Sequence, residues 1–172
     1  IAAMALAQLS GVSNEEIKTG MASFRGVDRR FDFKIKTDKV VYLSDYAHHP
    51  EEIKQSILSM RALYGGKKLT GIFQPHLYTR TRDFYQEFAE SLSLLDEVIL
   101  TDIYPARELP IEGVSSQLIY DNLRPDSDKI LCTKEEVIDI LKKKEIEVLM
   151  TLGAGDIENY APQICEILNE RC

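Results

Sequence analysis

Lys68-Leu-Thr-Gly-Ile-Phe-Gln-Pro-His-Leu-Tyr-Thr-Arg-Thr-Arg82 is the stretch that decides the fold. Leu69 to Phe73 reads as a strand. Gln74 to Arg82 follows as a polar loop carrying a histidine and two arginines. A helix is then expected near Arg82 to Leu95, with Phe84 and Phe88 four apart on one face. Strand, polar loop, helix is the repeating unit of a parallel sheet, and the chain shows it on both sides of this stretch.

Upstream, Val40-Val-Tyr-Leu43 is a short continuous apolar run, as in a strand buried on both faces. A helix is predicted from Pro50 to Tyr64, with Pro at its first position, acids in its first turn and Gly65-Gly66 at its end. Its apolar residues are Ile53, Ile57, Met60 and Tyr64. Phe31 to Ile35 alternates apolar and polar and is expected to enter antiparallel. Downstream, Val98-Ile-Leu100, Ile130-Leu131 and Val148-Leu-Met150 read as strands. Helices are expected at about 114–123, from the capping box Thr133-Lys-Glu-Glu136 through Lys144, and at about 157–170. The fold class is therefore α/β: a doubly wound, mostly parallel sheet of about six strands with helices on both faces, Rossmann-like in type.

The first residues differ in kind. Ile1 to Leu9 reads as a helix, and Ser13-Asn-Glu-Glu16 is a capping box opening a second one with Ile17, Met21 and Phe24 at helical spacing. The chain starts with Ile rather than Met and reads as a piece of a longer protein. Residues 1–25 are taken as the helical tail of an upstream domain, or lead-in helices, and residues 26–172 as the α/β domain.

Composition bounds the function. The 172 residues hold 28 acidic and 21 basic side chains, a formal charge of −7, which argues against a nucleic-acid partner. The longest apolar runs are too short for a membrane span. Three cysteines, Cys132, Cys165 and Cys172, are widely spaced and odd in number, which fits a reducing compartment and small core residues rather than a disulfide or zinc framework.

In such folds ligands sit outside the carboxyl ends of the strands. Four polar clusters fall there: Ser44-Asp-Tyr-Ala-His-His-Pro50, Gln74 to Arg82, Thr101-Asp-Ile-Tyr-Pro-Ala-Arg-Glu-Leu-Pro110 and Thr151-Leu-Gly-Ala-Gly-Asp156. All three histidines lie in the first two clusters, so they are expected to converge on one rim. Each cluster also has a plain reading. His49-Pro50 is a helix start, Gly153-Ala-Gly155 a tight turn, and Tyr104 to Glu108 a loop with an Arg107–Glu108 pair. An acid just past a strand, such as Asp45, more often bonds a ribose hydroxyl. Arg80 and Arg82 near a helix start are unfavourable on dipole grounds, which favours an anionic partner. The chain has no GxxxxGK[ST], no GxGxxG after its first strand and no GxSxG elbow.

Asp45-Tyr-Ala-His-His-Pro50, Phe73-Gln-Pro-His-Leu-Tyr-Thr-Arg80, Asp102-Ile-Tyr-Pro-Ala-Arg-Glu108 and Gly153-Ala-Gly155, in this order, resemble the C-terminal domain of the Mur ligases of peptidoglycan synthesis. Gly26-Val-Asp-Arg-Arg-Phe31 is similar to the family's opening of this domain. The resemblance implies a bacterial, cytoplasmic, ATP-dependent ligase of three domains, of which this is the last. It implies the member that joins L-alanine to UDP-N-acetylmuramic acid through an acyl phosphate, with the P-loop and Mg2+ ligands in the upstream domain. This domain would dock on its own upstream domains and supply orientation and charge, with no catalytic residue or metal ligand assigned here. Carried over by position, Arg30 and Asp45 match nucleotide-binding residues. Tyr46, His48, His76 and Arg80 match residues of the alanine pocket, with His76 and Arg80 facing its carboxylate. Arg107 lies in a loop that helps select the side chain in relatives adding other amino acids. Leu77 stands where another arginine is expected, and Arg82 is the candidate to replace it.

Other readings remain. One is the related ligase that attaches a murein tripeptide to the same UDP-sugar. Another is a metal-dependent hydrolase using Asp45, His48, His49 and His76. A third is a non-catalytic nucleotide-binding module.

Overall fold

The computed structural model describes residues 2–24 and 26–171; Ile1, Arg25 and Cys172 lie outside the described residues. The sheet has six strands: β1 (Asp32–Lys36), β2 (Val41–Asp45), β3 (Leu69–Phe73), β4 (Glu97–Leu100), β5 (Asp128–Leu131) and β6 (Val148–Leu152). Their spatial order is β1-β2-β6-β3-β4-β5. Only β1 runs antiparallel, against β2, with a bulge between Phe33 and Ile35. The other pairs are parallel, and β6 slots between β2 and β3.

The helices are α1 (Ala2–Leu9), α2 (Asn14–Ser23), α3 (Pro50–Leu63), α4 (Tyr78–Leu92), α5 (Gln117–Asn122), α6 (Val137–Lys142) and α7 (Ala161–Asn169). Period-two alternation along the central strands feeds two cores. Val41, Leu43, Val148, Met150 and Leu152 pack with Ile53, Ile57 and Met60 of α3, Phe88 and Leu92 of α4 and Ile119 of α5. Tyr42, Leu149, Ile72 and Ile99 face the other way, onto Val137 and Leu141 of α6 and Ile164 and Leu168 of α7. The chain thus leaves β2, β3 and β4 toward one face and β5 and β6 toward the other. That reversal opens a crevice beside β6. Each fully buried Leu or Ile side chain contributes roughly 1.5–3 kcal/mol of hydrophobic stabilisation.

Several boundaries differ from those read off the sequence, each for a local reason. α4 begins at Tyr78, four residues before Arg82, so Arg80 lies in a helical turn rather than a loop. Its cap residue Leu77 has φ 75 and no capping side chain, so no local signal marks the start. The box at Thr133 is present but opens a 3₁₀ turn, Lys134–Glu136, before α6, which ends at Lys142 rather than Lys144. The last helix likewise begins as a 3₁₀ turn, Asp156–Tyr160. α5 starts at Gln117 rather than Val114 because Ser116 is held by its hydroxyl, which donates to Thr101 O at 2.6 Å.

α1 and α2 form as read, with the Ser13–Glu16 capping box in place. Neither helix has a buried residue, and Met21 and Phe24 of the apolar stripe are exposed. No described helix is long and apolar enough to cross a membrane. Cys132 is buried and Cys165 half-buried, both as free thiols. Burial pushes the Cys132 thiol up to about 11.

The contrast between the layered body and the α1–α2 pair is measurable. Phe88 is fully buried, so Phe88→Ala is expected to lower stability by about 3–5 kcal/mol in urea unfolding. Met21→Ala is expected to stay within about 0.5 kcal/mol. Equal losses for both would contradict this division.

Candidate functional site

The polar loops meet at the carboxyl ends of β2, β6, β3 and β4. Their rings form a row. Tyr46 lies 5.3 Å from His48, His48 6.1 Å from His76, and His76 stacks on Tyr104 at 5.7 Å and 21°. A parallel bridge between His76 and Tyr104 fixes the last pair, since Leu77 N donates to Tyr104 O at 3.0 Å and Tyr104 N to Pro75 O at 2.8 Å.

Cations stand over the Tyr46 end of this row and beside His76. The Arg29 and Arg30 guanidinium groups lie over the Tyr46 ring, at 4.8 and 5.6 Å from its centroid. Arg80 Nη1 donates to His76 Nδ1 at 3.3 Å. With Nδ1 accepting, the neutral ring carries its proton on Nε2 and keeps a donor there for an anion. Burial first, then the Arg80 and His48 charges, hold His76 below the ordinary histidine range, while Glu108 pulls the other way. His48 is oriented differently: its Nδ1–H donates to Tyr46 O at 3.0 Å, and its backbone N to Glu52 at 3.0 Å.

Asp45 ends β2. Its Oδ2 accepts from Ser56 at 2.7 Å, and its Oδ1 has no hydrogen bond among the described residues. Asp45, Arg30, Tyr46 and Ser56 line a cleft of about 260 Å³. Beside it, Arg29 Nη2 donates to Gly155 O at 3.4 Å, while its buried Nε has no hydrogen-bond partner among the described residues. The loop after β6 approaches too closely for side chains. A Cβ on Gly153, which has φ 132, would lie 2.6 Å from Gln74 O, and one on Gly155 would lie 2.8 Å from Tyr104 Cβ.

The residues expected on the rim therefore divide. Arg30, Asp45 and Tyr46 share the cleft, and His48, His76 and Arg80 continue the row away from it. His49 does not join them: its ring packs on Phe84 at 5.2 Å, and its backbone N donates to Glu52 at the start of α3. The three histidines thus do not converge, because consecutive residues leaving a strand face opposite ways. Arg82 does not replace an arginine at position 77 either. Two residues beyond Arg80 on a helix it faces elsewhere, and its Nε donates to Asp83 at 2.7 Å. The expected Arg107–Glu108 pair is absent among the described residues. Glu108 bonds Thr79, and the exposed Arg107 makes no side-chain hydrogen bond or ion pair there. Among the described residues no three His, Cys, Asp or Glu side chains converge as metal ligands, and Asp45, His48, His49 and His76 are drawn to different partners. Sequence reasoning passed over Arg29 and Gln74. The doubled arginine before an aromatic was the available signal for the first, and nothing local marked the second.

The His76–Arg80 contact has a pH consequence. Above 6.5 the ring is neutral in folded and unfolded chains alike. Between that value and the lower folded one only the unfolded chain takes up the proton, so stability falls as pH falls through this window. In an NMR titration His76 is expected below 6.5, and Arg80→Gln is expected to raise it only part of the way back, since burial remains. Titration of His76 at or above 6.5 in the unsubstituted chain would contradict the arrangement.

Comparison with known proteins places the chain in a family. The sequence model of the family described as Mur ligase, glutamate ligase domain, matches residues 29–157. The chain is 77% identical over 171 residues to the UDP-N-acetylmuramate–L-alanine ligase of Phocaeicola vulgatus, covering 99% of this chain and 37% of that protein. It is 59% identical to the ligase of the same name from Parabacteroides distasonis, over 98% of this chain and 36% of the relative. Among solved structures, the UDP-N-acetylmuramate–alanine ligase of Thermotoga maritima superposes with a TM-score of 0.79 at 25% identity, covering 98% of this chain and 36% of that one. The chain spans little more than a third of the length of these relatives. With its six-stranded, mostly parallel sheet and this family-model match over most of its length, the chain belongs to the Mur ligase family.

Proposed function

We propose that this chain is the C-terminal part of a bacterial, cytoplasmic ligase that joins L-alanine to UDP-N-acetylmuramic acid at the expense of ATP. The observation that carries the reading is the Arg80–His76 contact on a rim continuous with the Arg30–Asp45 cleft. A small zwitterion must be held by its carboxylate while its amine stays free to attack. Arg80 and the Nε2–H of a neutral His76 supply donors of that kind. The high identity to ligases of this name supports the same substrate.

In this reading Asp45 Oδ1 accepts from a ribose hydroxyl of ATP, and Arg30, spread over Tyr46, faces the nucleotide's negative charge. The γ-phosphoryl group passes from ATP to the muramic acid carboxylate, giving an acyl phosphate and ADP. The alanine amine attacks the acyl carbon, the tetrahedral intermediate expels phosphate, and the amine's surplus proton is lost to leave an amide. Tyr46 and His48, in one row of rings with His76, line the alanine pocket. This domain contributes by orientation and charge matching. In this reading the magnesium ligands and the P-loop belong to a part of the longer protein outside this chain. Residues 1–25 are read as the tail of that part, which accords with the exposed Met21 and Phe24.

The test is phosphate release by the full-length parent protein with ATP, magnesium and UDP-N-acetylmuramic acid, comparing L-alanine, other amino acids and murein tripeptide. Release is expected with L-alanine. His76→Ala and Arg80→Ala are each expected to lower kcat/KM by about tenfold to a hundredfold, the range for losing a charge-assisted hydrogen bond. Release with tripeptide alone would move the assignment to the tripeptide ligase. No release with any acceptor would overturn the ligase reading.

A further inference from the structure

Helix α4 carries Arg80 in its first turn, yet its own sequence does not cap it. The four N-terminal N–H groups of a helix need outside acceptors, normally beginning with the side chain of the cap residue. Here that residue is Leu77, apolar and at φ 75. The missing acceptor comes from the loop after β4. Glu108 Oε2 accepts from Thr79 N at 3.0 Å, and Oε1 accepts from the Thr79 hydroxyl at 2.5 Å. The Thr79 hydroxyl first, then backbone N–H groups, hold the Glu108 carboxyl below the usual range.

The same loop is tied to the same turn at a second point, the Tyr104–Leu77 and Pro75–Tyr104 backbone bonds that set Tyr104 on the His76 ring. Between these two ties stands Ala106 at φ 51, a conformation that needs outside constraint to persist. Glu108 also answers a charge problem. Arg80 is a cation at the positive end of a helix dipole, and a carboxylate bound to the preceding residue's N–H compensates it.

We propose that Glu108 is a positioning residue: it caps α4 in trans and so holds Arg80 and His76 where they receive the amino-acid carboxylate. The inference rests on the function proposed above for that pair. It gives the Tyr104–Glu108 loop a role that does not require Arg107 to touch substrate.

Two readouts separate positioning from general stability. In the full-length ligase, Glu108→Ala is expected to raise KM for L-alanine about tenfold with kcat within about twofold, since ground and transition states lose the same binding. KM for ATP is expected to hold. Glu108→Gln keeps an acceptor for Thr79 N–H and is expected to restore KM for L-alanine to within about threefold. Thr79→Val, which removes one bond and leaves Glu108 in place, should fall between them and cover the case in which Glu108→Ala fails to fold. In NMR spectra of the 172-residue chain, the His76 ring signals, shifted by the stacked Tyr104, are expected to move in Glu108→Ala and to stay in Glu108→Gln. An unchanged KM for L-alanine with unchanged His76 signals would overturn the proposal, as would equal losses for alanine and ATP. If the unsubstituted ligase does not use L-alanine, the functional reading fails, and the His76 signals still decide whether Glu108 holds the ring.

Discussion

Gln74 is 2% exposed, and its side-chain amide is bonded at both ends: Nε2 donates to Asp156 Oδ1 at 2.7 Å, and Oε1 accepts from Ile157 N at 2.9 Å. Its backbone N donates to Leu152 O at 3.1 Å. A buried amide stripped of partners costs on the order of 1–3 kcal/mol, so these bonds clamp the end of β3 to the end of β6. The rest of the rim follows from that clamp. Gly153 and Gly155 are required because Gln74 occupies the space a Cβ would need. Asp156 is then held in place, and Lys134 pairs with it, tying in the segment after β5. Burial works to raise the Asp156 carboxyl, but the Lys134 and Gln74 hydrogen bonds outweigh it and hold the group low. Pro75 and His76 continue from Gln74 straight into the stack on Tyr104.

Much of this was legible in the sequence because local signals agreed with the fold. The Pro50 start of α3, the box at Ser13 and the doubly buried run at Val40 to Leu43 all use short-range chemistry. The antiparallel entry of β1 was also readable, since Phe31 to Ile35 alternates where the later strands do not. What could not be read has one physical character: it depends on partners far along the chain. The start of α4 is set by Glu108, 29 residues away from Thr79. The insertion of β6 between β2 and β3 is a property of crossovers, not of any strand's composition.

The site shows the same split. Asp45, Tyr46, His48, His76 and Arg80 were readable as a rim because each lies at or just past a strand end, and motif order did the rest. His49 reads both as a rim residue and as a helix start, and only the second holds; its place, like that of Arg82, could not be settled because residue type alone carries no direction. His49 sits next to His48, yet its ring packs on Phe84 in the α3–α4 groove. Arg82 sits two places from Arg80, yet it turns to Asp83. Gln74 was passed over since a lone glutamine in a polar loop looks like any other, and only its burial reveals its weight.

The rim as it stands is half of an electrostatic device. Arg80 and His76 are half-buried, Arg30 is exposed, and the cleft beside Asp45 is open to water. Under such exposure a charge contact is screened and contributes little. The groups are nonetheless pre-positioned at fixed cost: rings stacked, Nδ1 of His76 already committed to Arg80, Oδ2 of Asp45 to Ser56. What remains is to remove water, since the same hydrogen bonds strengthen in a closed, low-dielectric site. A rim of this kind holds an anion weakly while open to water and more strongly when water is excluded. In the function proposed above, covering the rim is then the step at which this binding energy becomes available.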